Sequence, residues 1–111
     1  MSIDWGSIFM YIAMNRFKIS NDHINDFINI WKSRNSTLEQ VEGFKDFKLL
    51  RGPREEKSTL FVSHSIWDSH EAFKNWTESA HFKSAHAGAK APAGTYLEHP
   101  KFEGFDVILE K

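Results

Sequence analysis

The sequence predicts one α+β domain. Three observations support this: the length of the chain, its hydrophobic content, and the order of its strand-like and helix-like segments. The chain has 111 residues and is 41% hydrophobic, which suits a single domain with a core of its own. Strand-like and helix-like patterns follow one another as strand, helix, strand, strand, helix, strand. That order is typical of the ferredoxin-like, split-βαβ fold with a four-stranded antiparallel sheet. We expect the domain to span residues 8–111, after a short tail over residues 1–7.

The first half of the chain supplies one strand and one helix. Residues 8–19 place apolar side chains on both faces of an extended segment, which predicts a strand covered on both sides. Capping residues and then apolar residues at helical spacing predict an amphipathic helix over about 22–34. A short helical turn over 37–42 follows, and Gly43 ends it.

The second half begins with a hairpin. Residues 44–51 and 58–67 read as strands, and residues 52–57 between them form a polar turn. Asp68 is the expected N-cap of a helix over about 69–76, since a glutamate three positions later completes a pattern like a capping box.

The chain then continues with a short helix, a loop and a last strand. Ser79 can cap a helix over about 80–88. Glycine, proline and alanine over 88–100 predict a loop, and alternation over 101–110 predicts the strand.

The apolar patterning also predicts a homodimer. Two helices cover only one face of a four-stranded sheet, yet the strands carry apolar residues on both faces. A second copy packed sheet to sheet would cover the other face. The alternative is that the loop over 88–100 folds across it.

Composition excludes several classes of protein. The formal net charge is −1 and there is no cysteine, so we expect neither a nucleic-acid footprint nor disulfides or thiolate metal sites. No signal peptide or membrane span is evident in the sequence. We expect a cytoplasmic protein that binds no nucleic acid and no membrane.

Asn15 is a polar amide in an otherwise apolar strand. A buried amide that lacks hydrogen-bond partners costs about 1–3 kcal/mol. Either the side chain bonds to a neighbouring backbone group, or it faces a pocket and meets a ligand atom. The sequence leaves both solutions open.

His86 is the candidate metal ligand. Phe82 lies one helical turn before it, and Ala85 and Ala89 flank the same face. Small neighbours leave room for a broad, flat ligand, and a histidine commonly holds haem iron. A surface histidine on a short helix is the alternative, since the chain has six histidines.

Trp76 completes the candidate set, although its pattern favours a core position. It lies four residues after Ala72 in an apolar stripe of the predicted helix. Trp31 and Trp67 are expected to be plain core residues.

Several segments together resemble the antibiotic biosynthesis monooxygenase (ABM) superfamily over roughly residues 9–110. They are Met14-Asn15-Arg16-Phe17, Glu42-Gly43-Phe44, Trp67-Asp68-Ser69 and Ala72-Phe73-Lys74-Asn75-Trp76. The spacing from Trp76 through Phe82-Lys83-Ser84-Ala85-His86 is similar to the IsdG-type haem-degrading monooxygenases.

This resemblance implies a dimeric α+β barrel with one haem pocket per subunit. His86 would be the axial ligand of the haem iron, and Asn15 would hydrogen-bond the oxygen species at the iron. Trp76 would crowd and distort the porphyrin, and Phe82 would line the pocket. Haem would be both substrate and cofactor. The reaction would need O₂ and an external electron donor, a reductase or an ascorbate-like reductant, and would release iron and a bilin.

The same residues are also compatible with three other functions. The chain would then be a cofactor-free ABM monooxygenase acting on a quinol-like or polyphenolic substrate, a haem-binding carrier or sensor that does not turn haem over, or a structural stress-response dimer without a ligand.

Overall fold

The computed structural model describes residues 9–34, 37–85 and 90–111. The predicted tail and His86 lie outside this part of the chain. The strands are β1 (Tyr11–Ser20), β2 (Phe44–Arg54), β3 (Ser58–Trp67) and β4 (Lys101–Asp106). The α-helices are α1 (Ile24–Ser33), α2 (His70–Thr77) and α3 (Ala80–Ala85), with 3₁₀ turns at Asn21–His23 and Leu38–Gln40.

The four strands form one antiparallel sheet in the order β2-β3-β1-β4. The two central strands, β1 and β3, pair along their whole length, from Tyr11 with Trp67 to Ser20 with Ser58. The central position of β1 explains its apolar character on both faces. The ferredoxin-like α+β fold that the element order predicts is therefore confirmed.

The helices cover one face of the sheet with two separate core clusters. The cluster beneath α1 centres on Phe17, Ile19, Phe27 and Phe61. The cluster beneath α2 centres on Tyr11, Ala13 and Trp67, with Phe73 and Trp76 packed against it. Trp67 is fully buried, as expected for a core residue. The core of this domain is thus divided along the direction of the strands.

The opposite face of the sheet carries apolar side chains that none of the described helices covers. Ile12 pairs with Ile66 and Phe105 across the strands, and Leu50 pairs with Val62. Leu50 and Phe105 are 39% and 46% exposed.

The loop before β4 runs along the edge of the sheet. The Ser20 N–H donates to the Thr95 carbonyl over 2.9 Å, and the Leu97 N–H donates to the Lys18 carbonyl over 2.9 Å. The ring of Tyr96 packs against Phe17 on the helical side.

Strand β2 is longer than the sequence predicts. It runs through Pro53 to Arg54, so the polar turn begins only at Glu55. The strand lies at the sheet edge, where a proline removes no hydrogen bond that a central strand would need. A shift in register between Arg51 and Arg54 absorbs the irregularity.

The predicted cap of α2 is also wrong by one residue. Ser69 is the N-cap, and its hydroxyl accepts from the Ala72 N–H over 3.1 Å. The N–H of Asp68 is already bonded to the Gly43 carbonyl, and its carboxylate pairs with Lys45.

Strand β4 ends at Asp106, earlier than the predicted residue 110. The Val107 N–H still donates to the Met10 carbonyl over 2.8 Å. Pairing stops there because β1 starts at Tyr11.

Gly43 joins the 3₁₀ turn to β2 at a point where a side chain would meet α2. Its φ is +85°, and a Cβ there would lie 2.5 Å from Ala72 Cβ. We expect Gly43→Ala to lower the free energy of unfolding by about 2–4 kcal/mol, from left-handed backbone strain and overpacking together. Urea denaturation measures this loss.

Gly94 provides the matched control. Its φ is +86°, but among the described residues the atom nearest to a Cβ would be His23 Nε2 at 3.9 Å. Gly94→Ala should therefore lower the free energy of unfolding only by the cost of the left-handed backbone, about 1–2 kcal/mol. Equal losses in the two variants would contradict the contact between Gly43 and α2.

Candidate functional site

A cavity of about 520 Å³ lies between the two core clusters, on the helical side of the sheet. This volume falls within the range of about 300–1,000 Å³ that is usual for small-molecule sites. Its lining residues come from all four strands and all three helices and from the segments that follow α1. They are Ala13, Asn15, Trp31, Arg34, Leu38, Phe47, Ser63, Ser65, Trp67, Phe73, Trp76, Thr77, Phe82 and Phe102.

Small and polar residues of the two central strands form the floor of the cavity. Asn15 lies opposite Ser63, and Ala13 lies opposite Ser65. Direct cross-strand partners in an antiparallel sheet present their side chains on the same face. The sheet therefore has short side chains at the place where the two core clusters would otherwise meet.

Aromatic rings form the walls. On the α1 side, Trp31 stacks on Phe47 with ring centroids 5.6 Å apart and planes inclined by 22°. On the α2 side, Phe73 stacks on Phe102 with centroids 5.6 Å apart and planes inclined by 13°. Such walls favour ligands that are themselves flat and apolar.

The junction of α2 and α3 holds Trp76 and Phe82 together. The Ser79 hydroxyl donates to the Trp76 carbonyl over 2.6 Å and accepts from the Phe82 N–H over 3.3 Å. The two rings meet edge to face, with centroids 4.8 Å apart and planes inclined by 85°. The sequence predicted this cap, and the structure confirms it.

Asn15 is half-buried and lines the cavity. Within the described ranges its side-chain amide makes no hydrogen bond to a protein group. A half-buried amide of this kind can still donate and accept toward a bound molecule. Of the two solutions that the sequence left open, the geometry favours the one in which the amide faces a pocket.

Arg34 carries the one charge among the described residues that line the cavity. Its Cζ lies 3.9 Å from the centroid of the Trp31 ring, which is a cation–π contact. Burial lowers the pKa of the Arg34 guanidinium from its ordinary value. The group still remains cationic at neutral pH.

The structure thus brings three of the predicted site residues, Asn15, Trp76 and Phe82, to one cavity. His86 lies outside the described residues. Trp31 was expected to be a plain core residue, but it is only partly buried and lines the cavity. Arg34 was not predicted. Arg34 lies three residues after Trp31 at the end of α1, and this spacing could have indicated in advance that the two side chains are neighbours.

No helix in residues 9–34, 37–85 and 90–111 is long and apolar enough to cross a membrane.

The fold and the cavity define a small α+β protein of ferredoxin-like topology with a candidate ligand site between helices and sheet. The sequence pattern of the antibiotic biosynthesis monooxygenase family matches residues 10–88. The chain belongs to this family, as the resemblance implied.

The relatives within the family include proteins named for haem degradation. A heme-degrading monooxygenase from Listeria welshimeri is 32% identical, over 73% of this chain and 73% of its own. The solved structure of the heme-degrader MhuD from Mycobacterium tuberculosis, with two hemes bound in its active site, is 26% identical with a TM-score of 0.68. That match covers 91% of this chain and 98% of MhuD. A Bacillus cereus structure with a TM-score of 0.75 covers 93% of this chain and 95% of its own; at 23% identity it bears on the fold alone.

Ser65 fixes the indole at the base of the cavity. Trp67 Nε1 donates to Ser65 Oγ over 2.9 Å, and Trp67 is fully buried. Ser65→Ala should lower the free energy of unfolding by about 1–3 kcal/mol, because the buried indole N–H would lose its acceptor. Thermal or urea unfolding measures the difference.

Ser63 is the matched control, since it lies on the same face two residues earlier. The described part of the chain offers its hydroxyl no hydrogen-bond partner. Ser63 is buried but has no such bond to lose, so Ser63→Ala should change the free energy of unfolding by less than about 0.5 kcal/mol, the low end for one hydrogen bond. A loss as large as that of Ser65→Ala would argue against a specific role for the Ser65–Trp67 bond.

Proposed function

We propose that this protein is a haem-degrading monooxygenase of the IsdG type, which cleaves the porphyrin ring with O₂ and external electrons to a bilin and releases iron. The amide of Asn15 on the floor of an aromatic cavity, which has no hydrogen-bond partner among the described residues, carries this proposal. The Listeria welshimeri relative and the MhuD structures with bound hemes or manganese protoporphyrin IX support it.

The described residues of the cavity fit a porphyrin in shape and polarity. The paired rings Trp31 with Phe47 and Phe73 with Phe102 provide flat apolar walls on both sides. Only Asn15, two serines, Thr77 and Arg34 add polar groups to the described lining. A largely apolar pocket with a few placed polar groups is the usual arrangement for a cofactor-sized ligand.

Each residue has a distinct role in the proposal. His86, which follows α3 in the sequence, would hold the iron. Bound haem would supply the metal that activates O₂. The Asn15 amide would donate a hydrogen bond to the reacting oxygen and orient it without supplying a proton as histidine can. Trp76 would press on the ring plane, and Phe82 would keep the Trp76 indole in place.

The proposal includes a homodimer in which two sheets pack face to face. Its support is the uncovered apolar face, where Leu50 and Phe105 are more than one third exposed. The described part of the loop before β4 lies along the sheet edge instead. A cytoplasmic location and a reductase or ascorbate-like reductant as electron donor also remain proposals.

Titration with ferric haem tests the binding part of the proposal. The wild type should give a saturable Soret band at one haem per chain, on a particle with the mass of two chains by light scattering. His86→Ala should lose the histidine-ligated spectrum, whereas His99→Ala, a change at an exposed loop histidine, should keep it. Absence of a saturable band in the wild type would contradict the proposal and favour the cofactor-free monooxygenase.

The same samples test turnover when ascorbate is added with catalase present. The wild type should lose its Soret band and form a bilin. Asn15→Ala should keep haem binding but lose most of this activity, while Asn29→Ala, a change at an exposed amide of α1 outside the cavity lining, should keep both. A wild-type spectrum that stays unchanged would indicate a haem carrier instead of an enzyme. Full activity of Asn15→Ala would contradict the proposed role of Asn15 in orienting the oxygen.

A further inference from the structure

A buried hydroxyl on the floor of the cavity has no hydrogen-bond partner in the described part of the chain. Ser63 is only 7% exposed, and it lines the cavity. Other buried hydroxyls of the sheet and its edge are used by the fold. Thr59 donates to Asn21 Oδ1 over 2.6 Å. Thr95 donates to the Pro92 carbonyl over 2.7 Å. A buried polar group normally has such a partner, so a free one at a cavity can be satisfied by a ligand.

The next serine on the same face shows the contrast. Ser65 Oγ accepts from Trp67 Nε1 over 2.9 Å, so its hydroxyl is used to fix a core side chain. Ser63 lies two residues earlier, opposite Leu49 on β2 and Asn15 on β1. Leu49 has no polar side-chain atom. The fold therefore uses the hydroxyl of one of the two floor serines and leaves the other available.

Ser63 and Asn15 place two available polar groups side by side. They are direct cross-strand partners on β1 and β3, and both line the cavity. The Cβ atoms of such partners lie about 4.5–5.5 Å apart on one face of the sheet. A hydroxyl donates one hydrogen bond and an amide donates two. One small acceptor atom above the pair can therefore take a hydrogen bond from each residue.

We propose that Ser63 is a further catalytic residue, whose hydroxyl donates to the same reacting oxygen as the Asn15 amide. This inference rests on the proposed function, which gives the Asn15 amide that acceptor. The two donors are fixed on paired central strands before the ligand arrives. Donors held in this way stabilise charge on an acceptor at little cost in reorganisation, and two of them define its direction better than one.

Fluoride is the probe for this pair of donors, because it is a small anion that binds ferric haem and accepts hydrogen bonds. Imidazole is the comparison ligand, since its coordinating nitrogen has no lone pair left to accept one. Both are titrated against the haem-loaded protein and followed by absorption. The variants are Ser63→Ala, Ser63→Thr, which keeps a hydroxyl, and the matched control Ser33→Ala. Ser33 is an exposed serine of α1 that does not line the cavity.

Ser63→Ala should lower the affinity for fluoride about five- to tenfold, the size of one hydrogen bond, and leave the affinity for imidazole unchanged. Ser63→Thr and Ser33→Ala should keep the affinity for fluoride of the wild type. Urea unfolding of the haem-free proteins is the second readout. It should give the same midpoint for Ser63→Ala and the wild type, because the hydroxyl has no bond to lose in the folded protein.

The failures of the two proposals are distinct. A fluoride affinity that Ser63→Ala leaves intact, or an equal loss for fluoride and imidazole, overturns the role of Ser63 while the proposed function stands. A lower unfolding midpoint for haem-free Ser63→Ala would show a structural role and overturn it as well. Absence of a saturable haem band in the wild type overturns the proposed function and this inference together.

Discussion

Four short or polar side chains at the centre of the sheet, Ala13, Asn15, Ser63 and Ser65, keep the two halves of the core apart. They lie opposite one another on β1 and β3, between the cluster beneath α1 and the cluster beneath α2. Larger apolar side chains there would join the clusters into one core and close the cavity. Protein interiors are normally packed without large voids, so the opening of about 520 Å³ at this place marks the candidate site.

The surrounding structure keeps the cavity open and shaped. Trp67 is fixed at the base by its bond to Ser65, and Ser79 holds Trp76 against Phe82 at the junction of two short helices. The polar groups are few and lie on different sides: an amide on the floor and a guanidinium on the α1 wall.

The sequence predicted the fold well because the period-2 and helical patterns are local. The limits of β3 agree with the alternation, but β2 extends past the predicted turn because an edge strand tolerates Pro53. The pairing of Asn15 with Ser63 and the stacking of Arg34 on Trp31 are tertiary facts that no local pattern contains. Trp31 was assigned to the core because its helical spacing is the same for a filled core and for a cavity wall. The placement of His86 against the cavity still rests on the sequence.

The most direct measurement of the central claim is the NMR signal of the Asn15 side-chain amide during titration with a diamagnetic metalloporphyrin. The Asn21 amide, which donates to the carbonyls of Glu55 and Glu56 at 3.0 and 3.2 Å, is an internal reference far from the cavity lining. We predict a large ring-current shift of the Asn15 amide protons and no shift of the Asn21 amide. A saturable porphyrin complex that leaves the Asn15 signal unmoved would contradict the account, because the ligand would then lie away from the floor of the cavity.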